Sequence, residues 1–290
     1  MARILGIGNA TLDIVHTVDG FPHENAEVRC RDRVIRRGGN TANLLVVLAR
    51  SGHDCYFAGM LTDDSEGRLV SADLVDNGVD ITACTVHPTG TMPVSSVLLS
   101  AATGSRTIVH YRDLPEYQVA DFTALDLQDY DWLHFEGRNI VALQDMLDWS
   151  REHYPDIPRS LEVEKPRTGI ERLFGCADVL LFSRDYAQHH GYRQAEPLLR
   201  AIHADYGAVL AFCSWGEDGA VAIDHNGRLF RQPAIIPGKV VETLGAGDTF
   251  NAAIINGRLA GLDTPELLKQ ACVQAGRKCA RTGFAGLVRQ

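Results

Sequence analysis

Short apolar stretches alternate with longer segments of helical composition over most of the chain. Residues 4–8, 131–135 and 179–182 have the length and apolar content of buried strands. Residues 40–50 and 196–206 instead have the composition of helices. Because strands and helices follow one another in this way, we predict an α/β fold with a mostly parallel central sheet and helices on both of its faces.

Two pairs of predicted strands interrupt this order. Residues 12–18 and 26–34 alternate between apolar and polar side chains, and a hairpin is predicted around residues 102–105. No helices separate these strands, so they do not fit the connections of a parallel sheet. We expect a small accessory sheet, built from residues 12–37 and 85–113.

Composition and charge narrow the classes of protein and of partner. Hydrophobic residues make up 45% of the chain and charged residues 22%, which favours one packed domain over residues 1–290 rather than a disordered chain. The net charge is −9, and no Lys/Arg-rich block occurs. Nucleic acids and anionic membranes are therefore disfavoured as partners, and any anionic ligand must be held by local donors.

The cysteines and the first residues indicate a reducing compartment. The chain has seven cysteines, an odd number, and no C-x-x-C pair, which disfavours a disulfide framework or a zinc site. The N-terminus lacks the apolar run of a signal peptide, and no stretch approaches the roughly 18–20 apolar residues of a membrane span. We therefore expect a cytoplasmic protein.

A glycine-rich stretch stands directly before an acid and a predicted helix, at Gly245-Ala246-Gly247-Asp248. Glycine lets backbone N–H groups approach a ligand closely, and a helix N-terminus favours phosphate. Asp248 could then accept a hydroxyl proton while the amides stabilise a transferred phosphoryl group. An aspartate at a helix start is also an ordinary N-cap, and this stretch alone leaves both interpretations open.

Two segments resemble the signatures of the ribokinase-like (PfkB) family of carbohydrate kinases. Gly245-Ala246-Gly247-Asp248-Thr249-Phe250 resembles the second signature, and Arg37-Gly38-Gly39-Asn40-Thr41-Ala42-Asn43 resembles the first. Further segments, in the same order, are similar to the ketohexokinase group of this family: residues 27–30, 105–109, 134–139, 162–167 and 276–279. The resemblance implies a ribokinase-like three-layer α/β/α fold with a small β-sheet lid.

The resemblance also implies a mechanism of phosphoryl transfer. Asp248 would be the catalytic base, and Gly245, Ala246 and Gly247 would form the anion hole for the γ-phosphate of ATP, with Mg²⁺ as the metal. The family's usual metal-linked motif is altered here, so the magnesium ligand stays open between Glu162 and Glu164.

Six residues stand at positions of the sugar site that the resemblance implies: Asp13, Asn25, Gly39, Asn40, Asn43 and Arg106. Asp and Asn side chains suit a neutral sugar, because they accept and donate hydrogen bonds at fixed places. Taken alone, Asp13 also suits a strand end, Asn40 a helix cap and Arg106 a solvated strand position. Asn25 stands where the ketohexokinase group usually has an Asp contributed across a dimer, so the preference for a ketose is left open.

The nucleotide site implied by the resemblance comprises Lys165, Trp215, Glu217, Gly219, Gly245, Gly247, Cys272 and Ala275. Trp215 and Cys272 equally suit the core, and Lys165 equally suits the surface. Glu242 replaces an Asp in the region that shapes a monovalent-cation site in the family. The need for K⁺ is therefore left open as well.

The function implied is ATP-dependent phosphorylation of a primary hydroxyl of an unphosphorylated ketose, with fructose and fructose 1-phosphate as the first candidates. Alternatives are a kinase of the same family for another sugar, sugar derivative or nucleoside, and a catalytically silent sugar-binding regulator. A dehydrogenase is disfavoured because no G-x-G-x-x-G follows the first strand. The resemblance further implies a homodimer formed through the β-sheet lid.

Overall fold

The computed structural model describes residues 1–207 and 209–287, and strands and helices alternate along most of this length. The strands are β1 (Arg3–Ile7), β2 (Thr11–Val18), β3 (Asp32–Gly38), β4 (Asp54–Ala58), β5 (Met60–Thr62), β6 (Val79–Asp80), β7 (Thr85–His87), β8 (Val94–Ser100), β9 (Arg106–Tyr111), β10 (Trp132–Glu136), β11 (Arg159–Val163), β12 (Val179–Phe182), β13 (Leu210–Ser214), β14 (Ala220–Ile223) and β15 (Leu229–Gln232). The α-helices are α1 (Asn40–Arg50), α2 (Ser65–Asp76), α3 (Val119–Thr123), α4 (Ile140–His153), α5 (Arg184–His189), α6 (Ala195–Tyr206), α7 (Ala246–Leu259) and α8 (Thr264–Cys279).

Nine of these strands form the central sheet, in the order β15-β14-β13-β12-β11-β10-β1-β4-β6. From β6 to β13 every neighbouring pair is parallel, whereas β14 is antiparallel to both of its neighbours, β13 and β15. The predicted α/β fold with a mostly parallel sheet is therefore confirmed. Because the strands are parallel, their carboxyl ends lie along one edge of the sheet, where open α/β sheets bind ligands.

A hydrophobic core lies on each face of the central sheet. Successive residues of a strand point to opposite faces, so Ile4 belongs to one core and Leu5 to the other. The first core includes Leu44 of α1 and Ile254 of α7, and the second includes Leu143 of α4. The sheet is thus covered by helices on both faces, as the sequence predicts.

A second sheet of four strands has the order β3-β2-β8-β9. The hairpin predicted around residues 102–105 joins β8 to β9. The strand predicted at 26–34 is wrong in its bounds, because β3 spans Asp32–Gly38 and residues 26–31 are irregular. Pairing with β2 explains the difference: the antiparallel register starts at Thr17 opposite Asp32, and β2 ends one residue later.

The remaining features concern smaller parts of the chain. β5 and β7 form a two-stranded sheet that the sequence analysis did not predict. The last helix, α8, ends at Cys279. All seven cysteines are free thiols. Within the described residues, none of the helices has the length and apolar character needed to cross a membrane.

Candidate active site

Two cavities open side by side at the edge of the central sheet where the parallel strands end. The first, of about 370 Å³, is lined at the ends of β1, β11, β12 and β13 by Asn9, Glu164, Ser183 and Ser214. The second, of about 390 Å³, has mostly apolar walls. Gly247 lies in the wall of both cavities. The glycine-rich turn therefore lies where the two cavities meet.

The glycine-rich turn forms the start of α7. Gly245 is the N-cap and has a left-handed backbone with φ of 82°. The ring of Phe284 lies where a Cβ of residue 245 would stand, so both backbone and space require glycine. Asp248 lies inside the first helical turn, and no side chain caps the helix. The N-cap interpretation of Asp248 is therefore wrong.

The Asp248 carboxylate is buried in the wall of the first cavity and has a perturbed pKa. Its Oδ2 accepts a hydrogen bond of 2.6 Å from Nδ2 of Asn43. Burial is the main cause that raises the pKa of Asp248 from 3.8 to about 7; Glu164 and Glu136 contribute to this increase, whereas the hydrogen bond from Asn43 and the charge of Arg37 oppose it. A carboxylate with a pKa near 7 is suited to act as a general base at neutral pH.

Three glutamates share this part of the site with Asp248. Glu162 accepts a hydrogen bond from Asn251 at Oε1 (2.9 Å), but its buried Oε2 has no hydrogen-bond partner. Burial, together with Asp248, Glu136 and Glu164, raises the pKa of Glu162 well above its ordinary value. An unpartnered carboxylate oxygen among like charges is a place that a cation would stabilise.

The same glutamates fit Mg²⁺ as the donors of an incomplete shell. Carboxylate oxygens are ligands that Mg²⁺ accepts, and this ion commonly keeps waters and binds substrate phosphates as well. Among the residues that the structure describes, no three His, Cys, Asp or Glu side chains converge into a complete metal cluster. The residues present therefore fit an ion held jointly by Glu162, Glu164 and a phosphorylated ligand.

Asp13 lies on β2 in the first cavity, close to the glycine pair Gly38-Gly39. Its Oδ1 accepts a hydrogen bond of 3.0 Å from the Thr11 hydroxyl, and burial raises its pKa. The Asp13 carboxylate occupies the space that a Cβ at position 38 would need. Gly38 is therefore required by the close approach of this side chain.

The first signature places its polar residues in the same cavity. Gly39 is the N-cap of α1, and Asn40 is the first helical residue, so Asn40 does not cap the helix. Asn40 donates to Oε2 of Glu164 (3.1 Å), and Asn43 donates to Asp248. Asp13, Gly39, Asn40 and Asn43 thus all line the cavity that holds Asp248.

Two arginines lie where the cavities meet. Arg106, the first residue of β9, donates to the Thr243 hydroxyl (3.3 Å) just before the glycine-rich turn. Arg184 forms an ion pair with Glu217, with 3.1 Å between Nη1 and Oε1. Both arginines belong to the walls of both cavities. Arg106 was expected from the sequence and Arg184 was not; the available signal for Arg184 was its position two residues after buried β12, at the start of α5.

The second cavity contains five of the residues expected at a nucleotide, namely Glu217, Gly219, Gly247, Cys272 and Ala275. Its apolar walls come from the segment before the glycine-rich turn, including Ile235 and Val240, and from Phe250 of α7. Two further expected residues lie elsewhere. Trp215 packs against the core of the sheet. Lys165 is in the wall of neither cavity, but it forms ion pairs with Asp185 and Glu164, which both line the first cavity.

Asn25 lies far from these residues in the irregular segment before β3. It is exposed and has a left-handed backbone with φ of 62°, which Asn tolerates better than most residues. It lines neither cavity. The structure of one chain therefore does not bring Asn25 to the sugar side of the site.

Glu242 lies three residues before Gly245 in a buried cluster of charges. It forms ion pairs with Arg36 and with Lys278, whose Nζ lies 3.0 Å from Oε2. The N–H of Gly283 donates to the same oxygen (3.0 Å). Burial would raise the pKa of Glu242, but Arg36 and Lys278 outweigh it and hold the pKa below its ordinary value.

This cluster does not fit K⁺ at the Glu242 carboxylate. Both carboxylate oxygens already accept from protein donors, and the Lys278 ammonium, which is fully buried, supplies a fixed positive charge there. Arg36 and Lys278 were not predicted as partners of Glu242, because both are distant from it in the chain. A lysine among apolar positions of α8 was the only local signal.

Comparison with known proteins shows the family and the fold of the chain. The pfkB family carbohydrate kinase model matches residues 1–287. The chain therefore belongs to the pfkB family of carbohydrate kinases and is a sugar kinase. It is 38% identical to ketohexokinase of Mus musculus over 295 residues, which cover 99% of each chain. It is 27% identical to aminoimidazole riboside kinase of Salmonella typhimurium, covering 88% of this chain and 80% of that one.

Solved structures show the same fold. Ribokinase from Giardia lamblia superposes with a TM-score of 0.84 at 15% identity, covering 100% of this chain and 98% of that chain. Arabidopsis thaliana ribokinase in complex with ribose and ATP has a TM-score of 0.80 at 20% identity, covering 97% and 94%. The ribokinase-like fold expected from the two signatures is confirmed.

Proposed function

We propose that the protein transfers the γ-phosphoryl group of ATP to a primary hydroxyl of an unphosphorylated ketose, with fructose as the first candidate and fructose 1-phosphate as its product. The observation that carries this proposal is the position of Asp248, a buried carboxylate beside the turn that joins a polar cavity to an apolar one. The 38% identity to a ketohexokinase over nearly the whole chain supports the ketose.

In the proposed reaction the first cavity binds the sugar. Asp13 and Asn40 hold sugar hydroxyls, and the Asp248 carboxylate accepts the proton of the hydroxyl that attacks phosphorus. Because Asp248 has a pKa of about 7, a large fraction is ionised at neutral pH and ready to accept this proton. Phosphoryl transfer depends mainly on positioning and on stabilisation of charge, so a single base is sufficient.

The second cavity binds ATP, with the adenine among apolar side chains and the phosphates near Gly247. Amides in the first turn of α7 have no partners within the helix and can donate to the γ-phosphate. Arg106 and Arg184 lie at the same junction and can neutralise phosphate charge. The seven free thiols fit a reducing, cytoplasmic location, where ATP is also available.

Mg²⁺ would be held by Glu162 and Glu164 together with the phosphates of ATP. When bound, it would neutralise charge on the β- and γ-phosphates. We propose that K⁺ is not required, because Arg36, Lys278 and the Gly283 amide already satisfy the Glu242 carboxylate.

The four-stranded sheet is the proposed lid over the sugar, within a single domain. Ile108 on β9 lines the first cavity, whereas the next residue, Val109, is 70% exposed on the opposite side of the strand. Tyr111 on the same strand is also exposed. An exposed apolar edge strand needs cover, so we propose that two chains pair through this sheet. Such pairing is also the route by which Asn25 could reach the sugar of a second copy.

Sedimentation equilibrium tests this pairing. We expect a dimer for the natural chain and a monomer for Val109→Glu, because a charge on the exposed face opposes burial in an interface. Arg33→Glu, on the outer strand β3, tests whether an acid added anywhere on this sheet is enough to convert the dimer to a monomer. A monomeric natural chain would contradict the proposed dimer.

The function itself is tested by measuring ADP release with ATP, Mg²⁺ and a panel of acceptors: D-fructose, D-tagatose, D-ribose, a sulfonated sugar and adenosine. We expect the highest kcat/KM with fructose. No turnover with fructose, combined with turnover of another acceptor, would overturn the proposed substrate but keep the family activity.

A silent sugar-binding regulator is separated by one variant. Asp248→Asn should lower turnover by at least about 1,000-fold while sugar binding, measured by calorimetry, is kept. Asp129→Asn, at an exposed surface ion pair, is the matched control and should retain activity. Equal activity of Asp248→Asn and the natural chain would overturn Asp248 as the base.

A further inference from the structure

Arg37 is a buried cation that the proposed reaction does not use directly. It is the residue before the last of β3, and its side chain is only 3% exposed. The first residues of β3 are exposed, and the strand becomes buried only at Arg37 and Gly38. Burying a charge costs several kcal/mol unless its donors are satisfied. Its partners therefore indicate why an arginine stands at this position.

The guanidinium of Arg37 has two hydrogen-bond partners on different helices. Nε donates to Oδ1 of Asp73 on α2 over 2.7 Å, and Nη1 donates to Oδ1 of Asn43 on α1 over 2.5 Å. Burial lowers the pKa of Arg37, and the charge and hydrogen bond of Asp73 oppose this effect. Asp73 is the more exposed member of the pair, with 35% of its side chain accessible. Asp73 thus holds the Arg37 guanidinium from the side nearer to solvent.

The contact with Arg37 decides which end of the Asn43 amide faces Asp248. An amide has one accepting oxygen and one donating nitrogen, whereas a guanidinium can only donate. With Oδ1 held by Arg37, the Nδ2 of Asn43 is turned to Asp248 and donates over 2.6 Å. A flipped amide would set its oxygen against the carboxylate and its NH₂ against the guanidinium, so both contacts would be repulsive.

We propose that Arg37 is a positioning residue for the reaction: it holds the Asn43 amide in the one orientation that donates to Asp248, and thereby fixes the carboxylate at the place where the sugar hydroxyl loses its proton. This inference rests on the proposed role of Asp248 as the base. The chain of contacts runs from Asp73 through Arg37 and Asn43 to Asp248, and it joins α2, β3, α1 and α7.

Arg37 also acts on the charge of Asp248. The acids that act on the charge of these residues are Asp13 of β2 and Asp73 of α2 beside Arg37, and Glu136 of β10, Glu162 of β11 and Glu164 after β11 beside Asp248. The cations Arg106, Arg138 and Arg184 line the same cavity as Asp248. Arg37 is a cation that lowers the pKa of Asp248 against burial and the neighbouring acids. Without Arg37 and an oriented Asn43, Asp248 would hold its proton to higher pH.

The first test is the pH dependence of kcat/KM in Arg37→Met, with Arg33→Met as control on the exposed part of the same strand. Because the variant base is misplaced and protonated to higher pH, we expect a deficit of about 100-fold at pH 6 that narrows to about 10-fold at pH 9. The KM for ATP should stay within about twofold, since Arg37 lines neither cavity. Arg33→Met should match the natural chain throughout.

A double-mutant cycle is the second test. Once Asn43→Leu has removed the amide, Arg37→Met should cost less than about threefold more, because both changes break one chain of contacts. Arg37→Lys keeps a donor and a charge and should restore part of the rate. If Arg37→Met does not fold, Arg37→Lys and Asp73→Asn provide the same pH comparison, with smaller expected deficits.

Two results would overturn the proposal. One is a deficit in the kcat/KM of Arg37→Met that is equal at pH 6 and pH 9. The other is a deficit caused by Arg37→Met that is as large in the Asn43→Leu variant as in the natural chain. If Asp248→Asn is inactive, either result contradicts only the positioning role of Arg37 and leaves Asp248 as the base. An active Asp248→Asn would instead remove the base itself and the proposed reaction with it.

Discussion

Two buried carboxylates stand six positions apart at the glycine-rich turn, and their surroundings are opposite. Glu242 is held by Arg36, Lys278 and a backbone amide, and its pKa lies below the ordinary value. Asp248 accepts one hydrogen bond from a neutral amide and faces other acids, and its pKa is raised to about 7. Both are almost fully buried, so burial alone does not explain the difference.

The difference shows how one loop can hold both a carboxylate that stabilises the structure, Glu242, and a carboxylate that can react, Asp248. Glu242 is paired with cations, so it ties β3 and α8 to the segment before Gly245 and stabilises the turn. Among the described residues no cation forms an ion pair with Asp248, so its ionised form is costly and its affinity for a proton is high. Perturbed carboxylates of this second kind are frequent at catalytic sites.

The largest effect, on the free energy of unfolding, is expected from replacing the stabilising carboxylate, Glu242. Glu242→Ala leaves Arg36 and Lys278 buried and unpaired, and breaking a buried ion pair from one side costs about 3–5 kcal/mol in the free energy of unfolding. Urea unfolding measures this loss. Glu266→Ala, in an exposed ion pair with Lys269, should change little. Equal stability of the two variants would show that the cluster does not hold the turn.

Removing the reactive carboxylate should have the opposite effect on stability. The pKa of Asp248 is raised in the folded state, so the stability that its neutral form contributes is lost as pH rises from 3.8 through about 7. Asp248→Asn should therefore be more stable than the natural chain at pH 8, by about 2–4 kcal/mol. The gain should shrink towards pH 4. A gain that is the same at both pH values would contradict the raised pKa.

The activity of the natural chain should follow the same titration. With excess Mg²⁺ and with fructose as acceptor, kcat/KM should fall about tenfold from pH 8 to pH 6, because Asp248 must be ionised to accept the hydroxyl proton. Circular dichroism at each pH serves as the control for folding. A flat profile over this range would argue against a base of raised pKa.

The smallest effect, on the initial rate, is expected from the removal of K⁺. Replacing KCl by choline chloride at constant ionic strength should change the initial rate by less than about twofold, the range of salt effects at a site without a bound cation. Lys278→Met sharpens the comparison, because it removes the internal ammonium beside Glu242. In that variant K⁺ should raise Tm more than choline does. Strong activation of the natural chain by K⁺ would contradict the proposal.

Much of the fold could be predicted because its signals are local. The parallel strands and the main helices followed from apolar stretches of suitable length, and the hairpin near residue 104 followed from its turn. The strand at β3 was misplaced because its start depends on where β2 ends, and pairing between strands is not written in either strand alone. The small sheet of β5 and β7 was missed because strands of three residues carry little pattern.

The candidate site divides in the same way. The residues of the two signatures, from Gly39 to Asn43 and from Gly245 to Asp248, were found from short motifs, and the structure brings both motifs to one cavity. Trp215 and Lys165 were expected at the nucleotide but lie outside both cavities, because the direction of a side chain depends on its neighbours in space.

By itself, then, the sequence determined the order of strands and helices, the glycine turn and the acid beside it, since each depends on residues close together in the chain. Only the tertiary structure decided the charge state of that acid and the partners of Glu242. Arg36 is 206 residues from Glu242, and Asn43 is 205 residues from Asp248. Burial and electrostatic interactions depend on distance in space, and the fold alone brings these groups within a few ångströms of one another.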